Sequence, residues 1–220
     1  MQDKMTQQLK KWSGDFGKEY TDRSIYGPKE LDIFYKNMWG VKRSEMNEEF
    51  LFEIKKNVSS ILEVGANVGN QLALLQSTGF KNLYGIEIQG YAVEKAKELT
   101  KGINIIEGSA FDIPFKDGYF DMVFTSGVLI HIAPSDINTV LDEIYRSSKR
   151  YIWCFEYYAD KYTEIGYRGN KNLLWKTNFC ELFLDRFKDL ALLKEKKFRY
   201  VDNDNVDSMF LLEKSKNKGR

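Results

Sequence analysis

Residues 60–70 read Ser60-Ile-Leu-Glu-Val-Gly-Ala-Asn-Val-Gly-Asn70. The apolar run Ile61, Leu62 and Val64 stops at a glycine, which marks a buried strand entering a turn. From Gly69 the pattern turns helical over residues 69–78. A buried strand, a glycine turn and a helix form the opening unit of a parallel α/β sheet.

The same unit repeats downstream. Strands are expected at 83–88, 103–107, 120–125 and 150–157, with helices at 91–100 and about 135–147, Ser135 serving as the N-cap of the latter. A helix near 173–187 precedes two strands at about 190–200 and 208–213. The alternation implies parallel strands joined by crossover helices. Only Val201 to Asp207 separate the final pair, too few for a crossover, so these two must be antiparallel. The expected fold is α/β and Rossmann-like: a seven-stranded, mostly parallel sheet with an antiparallel C-terminal hairpin and helices on both faces.

Upstream, Leu31, Phe34, Tyr35 and Met38 recur at helical spacing, as do Met46, Phe50 and Ile54. Residues 1–28 are polar, carry Gly14, Gly17 and Gly27, and scatter the aromatics Trp12, Phe16, Tyr20 and Tyr26; this stretch is expected to dock on the core rather than form one continuous helix. The division follows: 1–57 as an N-terminal lid segment with packing helices, 58–215 as the main domain, 216–220 as a short basic tail.

The chain has 220 residues, 43% hydrophobic and 30% charged, a globular composition with a formal net charge of +1. That balance provides no field to recruit nucleic acid or an anionic membrane, so neither partner is expected. Cys154 and Cys180 stand in no metal or redox spacing; no metal site is expected, and both read as buried free thiols of a reducing compartment. No 18-residue apolar run and no signal-like N-terminus occur, which makes a cytoplasmic protein the expectation.

In open parallel sheets, ligands bind beyond the carboxyl ends of the strands. The first strand ends in Gly65-x-x-x-Gly69, wider than the Gly-x-Gly-x-x-Gly of dinucleotide binders, and Glu63 stands at its entry. An acid there repels a pyrophosphate and suits an amine. Glu87, 24 residues later, ends the second strand, where a carboxylate accepts from both ribose hydroxyls. Gly108-Ser-Ala-Phe-Asp112 follows the third strand as a loop for a purine. An adenosine linked to an amino acid satisfies all three, which is S-adenosylmethionine.

These residues resemble the class I methyltransferases over about Ser60 to Glu156: Glu63, Gly65 and Gly69 match the first motif, Glu87 the second, and Ser109-Ala110 the third. The resemblance implies a methyltransferase fold and a cofactor set that adds Asn67, Asn70, Ile88, Phe111 and Ser126. Trp12 to Ser24, Glu63 to Asn70 and Gly127-Val-Leu-Ile-His131 are also similar to the methyltransferases associated with pseudaminic acid gene clusters. That narrower likeness implies a sugar or nucleotide sugar of bacterial surface glycans as acceptor. It also implies that the N-terminal segment closes over the cofactor, with Arg23 pairing the methionine carboxylate and Phe16 and Tyr20 shielding the sulfonium.

Methyl transfer from a sulfonium is an in-line displacement in which alignment supplies much of the rate. A hydroxyl acceptor also benefits from a base. His131, the single histidine, follows the fourth strand; with a pKa near neutrality it can take a proton, and Glu156 is the other candidate base. Tyr157 and Tyr158, at the end of the fifth strand, are expected to line the acceptor pocket. Transfer to RNA or protein is the alternative. A nucleic-acid enzyme usually carries a basic face, and the Asn-Pro-Pro-Tyr motif is replaced here by Thr125-Ser-Gly-Val.

Overall fold

The computed structural model describes residues 6–215. Four helices come first: α1 (Gln7–Ser13), α2 (Asp15–Asp22), α3 (Pro28–Trp39) and α4 (Arg43–Leu51). Thr6 caps α1 by accepting from the Leu9 N–H at 3.1 Å, and the extended backbone of Gly14 breaks α1 from α2. Pro28 opens α3, where its fixed φ suits the first turn, and Gly40 ends it at φ 74°.

The central sheet uses β1 (Ile61–Val64), β2 (Leu83–Glu87), β3 (Ile103–Glu107), β4 (Phe120–Ser126), β5 (Ser148–Tyr157), β8 (Leu190–Arg199) and β9 (Val206–Lys214), in the order β3-β2-β1-β4-β5-β9-β8. The pairs from β3 through β5 are parallel, and β9 runs antiparallel to both β5 and β8. This is the expected seven-stranded, Rossmann-like sheet with its antiparallel hairpin.

The hairpin doubles back, so the last strand lies inside the sheet. Met209 to Leu212 are buried along β9, whereas β8 carries Lys194, Lys196 and Lys197 on the open edge. Charged lysines suit an edge because they discourage pairing with another chain. Alternate residues of β5 face opposite layers: Tyr151, Trp153 and Phe155 pack with α3 and α4, while Ile152 and Cys154 pack with α7 (Ile137–Ser147) and α8 (Phe179–Arg186). The helices α5 (Asn70–Ser77) and α6 (Gly90–Leu99) complete the crossovers.

Two local expectations need correction. The helix expected from 173 begins only at Phe179, because Asn178 caps it by accepting from the Glu181 N–H and because β7 (Trp175–Lys176) pairs with β6 (Thr163–Glu164) in a separate ribbon. The N-cap of α7 is Asp136 rather than Ser135, and its side chain makes no capping bond. Cys154 and Cys180 are free and buried. Among the described residues, no helix is long and apolar enough to cross a membrane. The basic tail, residues 216–220, lies outside the described residues.

Candidate active site

The strand order reverses between β1 and β4, and a cavity of about 410 Å³ opens at the carboxyl ends of β1, β2 and β4. Glu63, Gly65, Asn67, Glu87, Ile88, Ala110, Phe111, Ser126 and His131 line it, with Tyr20 and Arg23 from the N-terminal segment.

The turn after β1 is built on left-handed residues: Gly65 at φ 73°, Asn67 at 48° and Gly69 at 84°. A Cβ on Gly65 would lie 2.6 Å from Val128 Cγ2, and one on Gly69 would lie 2.7 Å from Ile105 Cδ1. Packing and backbone conformation therefore require both glycines. Gly69 caps α5 and does not reach the cavity wall.

The turn presents Glu87 in a fixed pose. Asn67 N–H donates to its Oε2 at 2.8 Å and Gln89 N–H to its Oε1 at 2.9 Å. Burial pushes this carboxyl upward, and these backbone donors partly offset the shift. Glu63 is buried, lines the cavity and hydrogen-bonds no described residue; its Oε2 is sealed from water. Arg23 likewise donates no side-chain hydrogen bond; its guanidinium lies 5.2 Å from the Tyr20 ring and its Nη2 is buried without a partner.

A carboxyl and a guanidinium that line one cavity, each with a buried polar atom left without a partner among the described residues, fit a ligand bearing an ammonium and a carboxylate. A second carboxylate on β2 fits a diol. Glu63, Arg23 and Glu87 therefore suit S-adenosylmethionine, with Ile88, Ala110 and Phe111 available to its base.

Several expected residues are engaged within the protein or lie outside the cavity lining. Asn70 lines the cavity, but its amide is occupied: Nδ2 donates to Ser24 O at 2.6 Å and Oδ1 accepts from Tyr26 N–H at 3.2 Å, tying down the segment that carries Arg23. Ser109 faces its own loop, its Oγ accepting from Phe111 N–H, so Gly108 and Ala110 form the wall there. Phe16 packs edge-on against Trp12 and Tyr167 outside the cavity lining.

The acceptor side differs more. Glu156 is buried beneath the loop after β4, accepting from Val128 N–H at 3.1 Å and Ile130 N–H at 3.4 Å, away from the cavity. Burial pushes its carboxyl up to about 7. Tyr157 packs on Tyr200 beneath the Lys176 ammonium, and Tyr158 donates to Asp160; neither lines the cavity. His131 does line it, but burial depresses its pKa to about 4 instead of leaving it near neutrality. Its Nδ1 lies 2.8 Å from Leu173 O. A carbonyl only accepts, so Nδ1 carries the proton and Nε2 keeps a lone pair.

Tyr167, read from the sequence as part of an aromatic acceptor region with Trp153, Trp175 and Tyr162, lines the cavity, and residues that sequence reasoning did not place there join it: Gln8, Trp12, Tyr35, Gln71 and Gln89. Gln89 Nε2 donates to Trp12 O at 3.1 Å and Gly14 O at 2.8 Å, docking the α1–α2 junction on the start of α6. The aromatic content of residues 12–26 was the one available signal. Among the described residues, no cluster of three or more histidine, cysteine or acidic side chains is placed to hold a metal.

The sheet order and the site at its switch point define a Rossmann-like fold of the class I methyltransferase type. Residues 62–151 match the family model described as a methyltransferase domain. Over 154 residues the chain is 22% identical to the glycine/sarcosine/dimethylglycine N-methyltransferase of Actinopolyspora halophila, covering 59% of this chain but only 27% of that protein. The chain thus spans about a quarter of that relative's length.

Two solved structures share the fold over most of both chains. One is the 1,6-didemethyltoxoflavin-N1-methyltransferase of Burkholderia thailandensis (TM-score 0.68, 13% identity, 91% of this chain and 86% of that one). The other is the magnesium protoporphyrin IX methyltransferase of Synechocystis (TM-score 0.67, 13% identity, 94% and 98%). Both were solved with bound S-adenosylhomocysteine.

Proposed function

We propose that the chain transfers the methyl group of S-adenosylmethionine to a hydroxyl or amine of a small polar acceptor, a sugar or nucleotide sugar of bacterial surface-glycan biosynthesis being the class put forward. The observation that carries the reading is that Glu63, Glu87 and Arg23 line one cavity, with Glu63 Oε2 and Arg23 Nη2 buried and without hydrogen-bond partners among the described residues.

When bound there, S-adenosylmethionine would supply an activated methyl group for displacement by the acceptor oxygen or nitrogen, with S-adenosylhomocysteine leaving. Glu87 accepts from the ribose hydroxyls, Glu63 takes the ammonium, Arg23 takes the carboxylate, and Ala110 and Phe111 flank the base. Tyr20, beside Arg23, would shield the sulfonium. His131 orients the acceptor by taking a hydrogen bond from its O–H or N–H on Nε2. Trp12, Tyr167 and residues 6–23 generally act as the lid that keeps water out. An aromatic wall beside a lone-pair acceptor suits sugar faces and hydroxyl edges.

The test is incubation with labelled S-adenosylmethionine and a panel of nucleotide sugars, read by mass spectrometry. Glycine and sarcosine belong in the panel because of the halophile relative. Label in a nucleotide sugar supports the proposal. Label entering only RNA or protein would replace it with the macromolecular alternative.

A further inference from the structure

Gln89 stands two residues beyond Glu87, where β2 passes into α6, and it is buried. Its backbone N–H donates to Glu87 Oε1 at 2.9 Å. Its side-chain oxygen caps α6 by accepting from Tyr91 N–H at 3.2 Å. Its side-chain nitrogen reaches the other way, donating to Trp12 O at 3.1 Å and to Gly14 O at 2.8 Å. The oxygen meets an N–H and the nitrogen meets two carbonyls, so the network fixes the orientation of the amide. Trp12 O lies in the last turn of α1, where carbonyls lack an intrahelical donor. One amide thus serves the end of α1 and the start of α6 together.

The segment it holds has few other ties. Residues 7–22 contribute nothing to either apolar layer of the sheet. Besides the two bonds from Gln89, Gln8 Nε2 donates to Asn172 O at 3.0 Å, Tyr91 Oη donates to Asp22 Oδ1 at 2.7 Å, and the Trp12 ring lies on His131. A segment with so little buried apolar contact opens at low cost. Yet Leu9, Trp12, Gly17, Tyr20 and Thr21 line the cavity that Glu63 and Glu87 also line. Gln89 therefore touches both parties: its main chain holds the carboxylate read as the ribose acceptor, and its side chain holds the segment read as the lid.

We propose that Gln89 is a positioning residue that latches the α1–α2 lid to the ribose-binding carboxylate, so that release of the cofactor waits on the breaking of its amide's two bonds to Trp12 and Gly14. The inference rests on the cofactor and lid readings given above. Coupling of this kind is reciprocal: a nucleoside that steadies Glu87 and Gln89 steadies the lid, and a docked lid retains the nucleoside. Gln89 then governs how long the cofactor stays more than how fast it arrives.

The test uses Gln89→Ser and S-adenosylhomocysteine. Serine keeps the backbone N–H to Glu87 and a capping oxygen for α6, and it is too short to reach Trp12 O and Gly14 O. Dissociation followed by stopped-flow fluorescence should speed up roughly tenfold or more, as the loss of two neutral hydrogen bonds warrants, while association changes less than about threefold. Hydrogen exchange in the ligand-free protein should quicken over residues 7–22 and stay the same over β1 and β2. Saturating S-adenosylhomocysteine should slow exchange over residues 7–22 in the unmodified protein, and most of that slowing should be lost in the variant at saturation. Gln89→Glu, which keeps the length and turns the donor into an acceptor, should behave as Gln89→Ser does. An unchanged dissociation rate, or a lid that exchanges as slowly in the variants as in the unmodified protein, overturns the proposal. Faster exchange spread evenly over lid and sheet would show a merely structural glutamine and overturn it as well. If the unmodified protein does not bind S-adenosylhomocysteine, the cofactor reading itself fails, a result distinct from all the others; exchange over residues 7–22 in the ligand-free variants then still decides the latch.

Discussion

The indole of Trp12 lies 4.5 Å, centroid to centroid, from the imidazole of His131. The first helix and the loop after β4 therefore share one wall of the cavity. Tyr167, from the segment before β7, closes the same corner 5.4 Å from His131. This corner encloses the one imidazole nitrogen left with a free lone pair.

His131→Ala should lower turnover roughly tenfold or more while leaving cofactor affinity nearly unchanged. With the pKa of His131 depressed to about 4, the neutral ring persists through neutral and mildly acidic pH. The pH–rate profile should thus carry no limb near 6.5 from this residue. Its contribution should vanish only as pH falls toward 4. Steady-state kinetics from pH 5 to 8 decide this: a limb near 6.5 that disappears in the variant would contradict it.

Glu87→Ala should weaken S-adenosylhomocysteine binding about 10- to 100-fold, since hydrogen bonds to a charged acceptor contribute roughly 1.5–3 kcal/mol each. The substitution also releases the N–H groups of Asn67 and Gln89. Unchanged affinity by calorimetry would remove the ribose assignment.

Arg23→Ala should weaken the same ligand, and Asn70→Ala should do so in the same direction without touching it. The Asn70 amide fixes Ser24 and Tyr26, immediately beyond Arg23. The double variant should therefore lose less affinity than the two single losses added together. Strict additivity would show that Asn70 acts elsewhere.

Gly17→Ala should disturb the lid specifically. A Cβ there would lie 1.8 Å from the Trp12 carbonyl oxygen, so α1 must shift away from α2. Ligand affinity should fall. The thermal midpoint measured without ligand should fall less than for a core truncation such as Leu72→Ala, because α1 lies outside both apolar layers of the sheet. A fall equal to the core variant's would show α1 to be integral to the core.

Glu156 and Asp207 should contribute a decline in stability between about pH 4.5 and 7, opposed in the same range by His131, whose depressed pKa makes its contribution grow as pH rises. Glu156, raised from 4.5 to about 7, binds its proton more tightly when folded; its stabilisation is complete below the unfolded value and is lost as pH rises through the folded one. Asp207, raised from 3.8 to about 7, titrates in the same sense. Glu156→Gln should remove part of this slope, on the order of 3 kcal/mol at most. Urea midpoints at pH 5 and pH 8 measure it.

Much of the cofactor side was legible because strand ends are local signals. An apolar run that stops at Gly65 fixes where Glu63 lies, and the same holds for Glu87 on β2. The acceptor side was not legible, because a strand end does not say which way each residue turns. Glu156, Tyr157 and Tyr158 end β5 as expected, yet the first is buried under backbone N–H groups and the others pack toward Tyr200 and Asp160. Asn70 was read as a ligand contact and instead ties down the segment beside Arg23, a role that depends on a partner 46 residues away.

The sequence by itself determined the order of strands and helices, the antiparallel closing hairpin and the two acids that flank the glycine bend, because periodicity and turn chemistry act over a few residues. Only the tertiary structure decided that β9 lies inside β8, that Trp12 meets His131, and that Arg43 is buried among Tyr35, Trp153 and Phe155. Those relationships come from packing between segments distant in the chain, where burial and the scarcity of partners for buried charge select the neighbours.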